Sequence, residues 1–276
     1  MAVLDPTACP RTVLICHDSE LLNRHALPRW LASFTQLAGI VVLREPSSQL
    51  WKRVRREVKR AGWLGFLDVV LFRLYYRLRL AAEDRALEAG LLRELEQRYP
   101  ALPAGVRILE TPSPNSAECE RFLRELAPDM ILARCKVILS KRIFTQARTG
   151  TFVMHPGICP EYRNAHGCFW ALANRDLNNV GMTLLKIDAG VDTGPVYGYY
   201  RYAYDEQRES HIRIQDRVVF DNLDALAAKF NEIFAGTAKT IDTRGRPSAA
   251  WGQPRLTRYL GWKRAAAAAA ASRRPA

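Results

Sequence analysis

The chain has 276 residues, 48% hydrophobic and 25% charged, which suits one large globular domain or a domain with an appendage. Its net charge of +13 is uneven: nine Lys/Arg against two acids lie between Trp51 and Arg79, and the last 22 residues carry six basic residues and no acid. The most apolar run, Trp63 to Leu71, is broken by Asp68 and falls far short of the roughly 20 residues that a spanning helix needs. The six cysteines (Cys9, Cys16, Cys119, Cys135, Cys159, Cys168) stand singly, and the N-terminus lacks the charged start and apolar run of a signal peptide. Reduced thiols and a cytoplasmic location are therefore expected.

In chain order, Thr12 to Cys16 reads as a first strand, followed by a helical pattern from about Glu20 to Phe34. No Gly-x-Gly-x-x-Gly follows that strand, so a dinucleotide fingerprint is absent. Gly39 to Leu43 is a second strand, bounded by Glu45-Pro46-Ser47-Ser48. Residues 49–98 are helix-periodic and predict two helices, the first strongly basic. A βα unit needs only one crossover helix, so this stretch is read as an insertion. An amphipathic pair packed on the sheet is its plainest reading. Peripheral membrane contact would account for the mixture of Trp51, Trp63, Phe66 and arginines.

Val106 to Glu110 then predicts a strand, Ser116 to Leu126 a helix, Pro128 to Ala133 a buried strand and Ser140 to Ala147 a helix. Thr151 to His155, Gly181 to Asp188 and Pro195 to Tyr204 read as further strands, and Glu206 to Ala235 as helix. The alternation predicts an α/β, Rossmann-like three-layer fold with a mostly parallel sheet. The boundaries expected are an α/β domain over 1–205 with the insertion at about 49–98, then a C-terminal helix and basic tail over 206–276. The last dozen residues, mostly alanine, are expected to be disordered.

His155 ends a β-branched, apolar strand and precedes Pro156-Gly157, which turns the chain outward. That is the carboxyl end of a parallel strand, where open α/β sheets hold their ligands. Asp192 lies in Ala189-Gly190-Val191-Asp192-Thr193-Gly194, where flanking glycines let a carboxylate enter a site; Asp188 competes for the same role. Such an acid can orient the His155 imidazole and help move a proton. Asn164 and His166 sit in the loop between these motifs, and the Arg163 guanidinium suits an anion. The five histidines are scattered without zinc-ligand spacing, so no metal is expected.

Taken together, His155, Cys159-Pro160-Glu161-Tyr162-Arg163, Trp170-Ala171, Gly181-Met182-Thr183 and Asp188-Ala-Gly190-Val-Asp192-Thr-Gly194 resemble the catalytic core of the formyltransferases, across roughly Pro128 to Tyr204. The resemblance implies formyl transfer from 10-formyltetrahydrofolate to a primary amine of a small metabolite, such as a sugar or biosynthetic precursor. It makes His155 and Asp192 the catalytic pair. It places the folate against Arg134, Cys135, Lys136, Val137, Ile138 and Leu139, with Asp188 and Gly190, and the acceptor near Tyr162, Arg163 and His166.

Where the family carries Asn-x-His, this chain has Val153 in the Asn position. Asn164 is the candidate amide donor in its place. The loss also leaves open a divergent hydrolase, another acyl or one-carbon transferase, or a folate-binding protein without catalysis. A tRNA acceptor is not expected, because no second β-barrel domain is recognisable after Gly194. Oligomeric state stays open, a homodimer included.

Overall fold

The computed structural model describes residues 9–44 and 49–272; the expected break at 45–48 and the last four residues lie outside them. Strands β1 (Arg11–His17), β2 (Gln36–Leu43), β3 (Arg107–Thr111), β4 (Met130–Arg134), β5 (Gly150–His155), β7 (Met182–Lys186) and β8 (Val196–Tyr200) form one sheet in the order β3-β2-β1-β4-β5-β7-β8. The first five are parallel; at one edge β7 pairs antiparallel with β5, and β8 antiparallel with β7. A two-residue pair, β6 (Arg163–Asn164) with β9 (Ala250–Trp251), stands apart from it.

Period-two alternation divides the sheet's side chains between its faces. Leu14, Cys16, Ile40, Val42, Leu132 and Phe152 face α1 (Leu27–Ala32), α6 (Gly167–Ala173), α7 (His211–Phe220) and α8 (Leu223–Phe234). Val13, Ile15, Val41, Ile131 and Ala133 face α4 (Ala117–Leu126) and α5 (Lys141–Phe144). With both faces covered, the central strands are apolar throughout, and each fully buried Leu or Ile contributes ~1.5–3 kcal/mol. The sheet order reverses between β1 and β4, so their carboxyl ends, at His17 and Arg134, open a crevice beside the end of β5.

Three expectations change. The helix expected at Glu20 to Phe34 is a π-helical turn, Leu22–Ala26, running into the short α1 with Pro28 in its first turn. The helix expected over 206–235 breaks at Asp221-Asn222 into α7 and α8. The expected disorder of the last dozen residues is corrected through Ser272, because α9 (Leu256–Ala271) carries the alanines as helix. Tyr259, Trp262 and Ala266, one face of α9, are buried in the main core, and the Trp262 indole donates to Glu206. Tertiary burial supplies what a short alanine run lacks alone.

The insertion forms α2 (Gln49–Arg79) and α3 (Ala81–Arg98), with α2 interrupted at Gly62, whose φ is 71°. Phe72 of α2 packs on Phe169 of α6, His211 of α7 and Tyr259 of α9. Thus α2 lies over the helical layer rather than on the sheet.

Candidate active site

His155 is buried where β5 ends, and Thr183 of β7 staples the segment that follows it. The Thr183 hydroxyl donates to the Gly157 carbonyl (2.6 Å) and accepts from the Cys159 N–H (2.9 Å). His155 Nε2 lies 2.8 Å from the Tyr162 carbonyl oxygen. A carbonyl only accepts, so Nε2 carries the proton and Nδ1 is left facing Asp192 Oδ2 at 3.5 Å. In the neutral ring, a lone pair and a carboxylate oxygen then face each other.

Asp192 is held in that position by the loop it faces. Its Oδ2 accepts the Asn164 backbone N–H at 2.8 Å, and Arg163 donates to the neighbouring Val191 carbonyl at 3.0 Å. The competing Asp188 is occupied: its Oδ1 accepts from the Gly190 N–H (2.9 Å) and the Thr193 hydroxyl (2.7 Å), closing its own turn. The Asn164 side chain donates to the Trp251 carbonyl. The Asn164 backbone N–H thus tethers Asp192, while one hydrogen of its side-chain amide is directed to Trp251. Asn164, His166 and Asp192 all have positive φ (77°, 55° and 52°). Each such non-glycine residue costs on the order of 1–3 kcal/mol, and such strain concentrates at functional sites.

A C-terminal strap fixes the loop. Trp251 stacks between Tyr162 (5.7 Å, 17°) and Trp170 (4.9 Å, 26°), and its indole donates to the Glu161 carbonyl at 2.9 Å. The Trp170 indole donates to Gly252, and β6 pairs with β9. The Tyr162 hydroxyl donates to Asp176 at 2.9 Å, so this side chain is structural while its carbonyl serves His155. Trp251 was not singled out from sequence, since nothing local marks a partner 87 residues away.

The Arg134 to Leu139 loop leaves β4 across the crevice. The half-buried Arg134 guanidinium turns inward to the Met154 carbonyl and the Asn23 side chain. The Lys136 N–H donates to His17 Nε2 (2.9 Å) and its ammonium pairs with Glu20 (2.7 Å). Leu139 is buried in the core cluster on one face of the sheet, Cys135, Val137 and Ile187 each pack against that cluster, and Ile138 is exposed.

Val153 shares a face of its strand with His155, two residues on, which is the physical sense of an Asn-x-His spacing. Here it packs with Cys159, Leu185, Val196 and Tyr199, making that wall apolar. Burial pushes the Cys159 thiol up strongly and the Cys168 thiol up to about 12, so neither supplies a thiolate nucleophile.

Beyond His166 lies a cavity of about 170 Å³, lined by Val69, Phe72, Arg73 and Tyr76 of α2 together with His166, His211, Ile212, Gln253 and Pro254. The backbones of Gly157 and Gly167 approach each other closely next to His155, leaving no room for a Cβ on either. Nδ1 of both His166 and His211 is buried without a hydrogen-bond partner among the described residues. Burial, then the Lys136 charge, lowers His166 to about 4; burial and the His166 charge hold His211 well below the ordinary value. Both rings are neutral at pH 7. The unfolded chain thus binds more protons than the fold between pH 6.5 and about 4, and stability is lost as pH falls through that window. Burial raises Asp216 to about 7, which acts in the opposite sense. His166→Gln with His211→Asn should therefore flatten the fall in melting temperature between pH 7 and 4 relative to the native chain. An equally steep fall would remove these rings as the cause.

The sequence profile of the formyl transferase family matches residues 83–228, just over half of the chain. The chain belongs to the formyl transferase family. Among curated relatives, the methionyl-tRNA formyltransferase of Dehalococcoides mccartyi (strain CBDB1) is 36% identical over 98 residues, 35% of this chain and 31% of that protein. That of Anaeromyxobacter sp. (strain K) is 33% identical over 119 residues, 42% of this chain and 38% of the relative. The similarity thus spans about a third of those relatives' length. Among solved structures, glycinamide ribonucleotide transformylase 1 from Symbiobacterium toebii superposes with a TM-score of 0.53 at 14% identity, covering 88% of this chain and 96% of that one. A Shewanella sugar N-formyltransferase gives 0.52 at 12% identity, covering 88% and 76%. These likenesses show the shared fold, an α/β Rossmann-like sheet with flanking helices.

Proposed function

We propose that the protein transfers a formyl group from 10-formyltetrahydrofolate to a primary amine of a small metabolite, a sugar or a biosynthetic precursor. The observation that carries this reading is the His155–Asp192 pair, 3.5 Å apart at the carboxyl end of β5. The pair accepts the proton that an attacking amine must release, and the Tyr162 carbonyl keeps the imidazole in the tautomer that does so. We assign the folate to the 134–139 loop and the Asp188–Gly194 turn, a reading supported by the exposed Ile138 and the partly buried Val137 and Ile187. When bound there it would supply the electrophilic formyl carbon.

The cavity supports a small acceptor. It is below the ~300–1,000 Å³ of drug-sized sites and suits one ring-sized group. Phe72 and Val69 offer an apolar face, and two neutral histidines hydrogen-bond without repelling an amine. Arg73 at its edge suits an anionic substituent. A different acyl or one-carbon transfer on this scaffold is the second reading, favoured by the apolar packing of Val153.

Calorimetric titration with a stable 10-formyl folate analogue should give micromolar binding, and release of tetrahydrofolate should depend on an added amine. Absence of heat and of a thermal shift at millimolar analogue would remove the folate reading. Binding without amine-dependent release would leave the alternative of a folate-binding protein.

A further inference from the structure

The outer face of α2 is apolar and uncovered. Trp63, Leu64, Leu67, Leu71, Leu74 and Leu78 recur at helical spacing after the Gly62 break and are 52–85% exposed. Single exposed apolar residues are ordinary, but a contiguous stripe of six marks an interaction surface. The stripe is not a misplaced core face, because the opposite side of the same helix already buries Val69 and Phe72.

Charge distinguishes the occupants. Exposed Arg55 and Lys59 precede the stripe, and Arg77 and Arg79 flank its far end, while Arg60 turns to the Ala250 carbonyl and Arg73 to the cavity. The helix's acid in this region, Asp68, is turned to Thr257 of α9, accepting from its N–H and hydroxyl. A second copy of the chain would set like charges against each other across the stripe. A nucleic acid would use the arginines and leave the leucines in water. An anionic bilayer uses both, burying the apolar face at the acyl boundary and seating the cations among headgroups. Trp63 at the end of the stripe suits the interface between the two.

We propose that α2 docks the protein on the surface of an anionic lipid bilayer. The helix lies in the interface plane and does not cross it; among the described residues no helix is long and apolar enough to span. The helix α2 lies before residues 83–228, the segment that matches the family. The inner face of α2 lines the cavity beside His166. Docking therefore sets that cavity about one helix diameter, ~10–12 Å, from the lipid surface.

The test is flotation of the purified protein with vesicles of phosphatidylcholine alone and of phosphatidylcholine containing roughly a quarter phosphatidylglycerol, at ~0.1 M salt. The native chain is expected to float with the anionic vesicles at least about tenfold more strongly than with the neutral ones. Leu64→Glu with Leu71→Glu should abolish flotation while far-ultraviolet dichroism and melting stay native, since both side chains are exposed. The milder Leu64→Ser with Leu71→Ser serves if the acidic variant fails to fold, and it should weaken binding severalfold. Arg77→Glu with Arg79→Glu should weaken it too, separating docking from simple apolar stickiness. Failure of the native protein to float with either vesicle would overturn the proposal, as would variants of the stripe that float like the native chain. So would a native dimer in sedimentation equilibrium that the Leu variants dissociate, because the stripe would then be covered by a second copy. The experiment contains no amine or folate, so its outcome is independent of the chemistry at His155.

Discussion

His155→Ala and Asp192→Asn are each expected to lower the turnover of formyl transfer by about 100- to 10,000-fold, the range for a positioned acid–base group. Tyr162 and Asp192 hold the imidazole from both sides, so the alanine variant loses the proton acceptor outright. The Asp192→Asn change is subtler. Its remaining side-chain oxygen can still take the Asn164 N–H, so the loop keeps its tether while the negative charge facing Nδ1 disappears. The turnover number should fall much more than the Michaelis constant rises, because proton acceptance matters in the transition state. Asp188→Asn is the control, as that carboxylate closes its own turn through Gly190 and Thr193. Near-native turnover in Asp192→Asn together with loss in Asp188→Asn would reverse the assignment.

Gly167→Ala should damage the same site through the backbone. A Cβ there would overlap the Gly157 Cα and lie 2.8 Å from the Tyr162 oxygen and 2.9 Å from the Pro156 oxygen. These are main-chain atoms of the segment that holds His155, so none can rotate aside. Overpacking of this kind costs ~1–3 kcal/mol. The larger effect is expected on turnover, since the shift displaces the carbonyl that fixes Nε2. Gly90→Ala in α3, where a Cβ meets nothing within 4 Å, should instead leave activity unchanged and raise stability by roughly 0.5–1 kcal/mol. Melting temperature and turnover measured on both variants decide the matter. Native turnover in Gly167→Ala would show that the close approach does not set the imidazole.

The docking helix and the cavity share α2, which has consequences for acceptor access. A chain whose acceptor cavity lies behind a lipid-facing helix would meet amines carried at a membrane surface before those in bulk water. Vesicle binding and formyl transfer can be measured separately, and stripe variants that stay soluble and active would show that the two faces of α2 act independently.

Much of the site was legible because its signals are local. Period-two alternation marks the buried strands, and Pro156-Gly157 ends β5, so His155 had to emerge at a strand end. The family motif in the turn favoured Asp192 over Asp188, and the structure adds that the turn itself consumes the Asp188 carboxylate. Asn164 repeats the family's Asn-x-His spacing with His166, and the structure adds that it lies in a positive-φ loop with its side-chain amide donating to Trp251.

The sequence by itself determined the alternation of strands and helices and the residues of the His155 and Asp192 motifs. These follow from periodicities and turn chemistry that act over a few residues. Only the tertiary structure decided that Trp251 straps the loop, that His211 joins His166 at the cavity, and that the alanine-rich α9 is ordered. It also decided which face of α2 is buried, a choice that the all-round apolar content of Trp63 to Leu78 left undetermined. Each of these depends on burial against partners far along the chain, and such burial leaves no mark on the local pattern of residues.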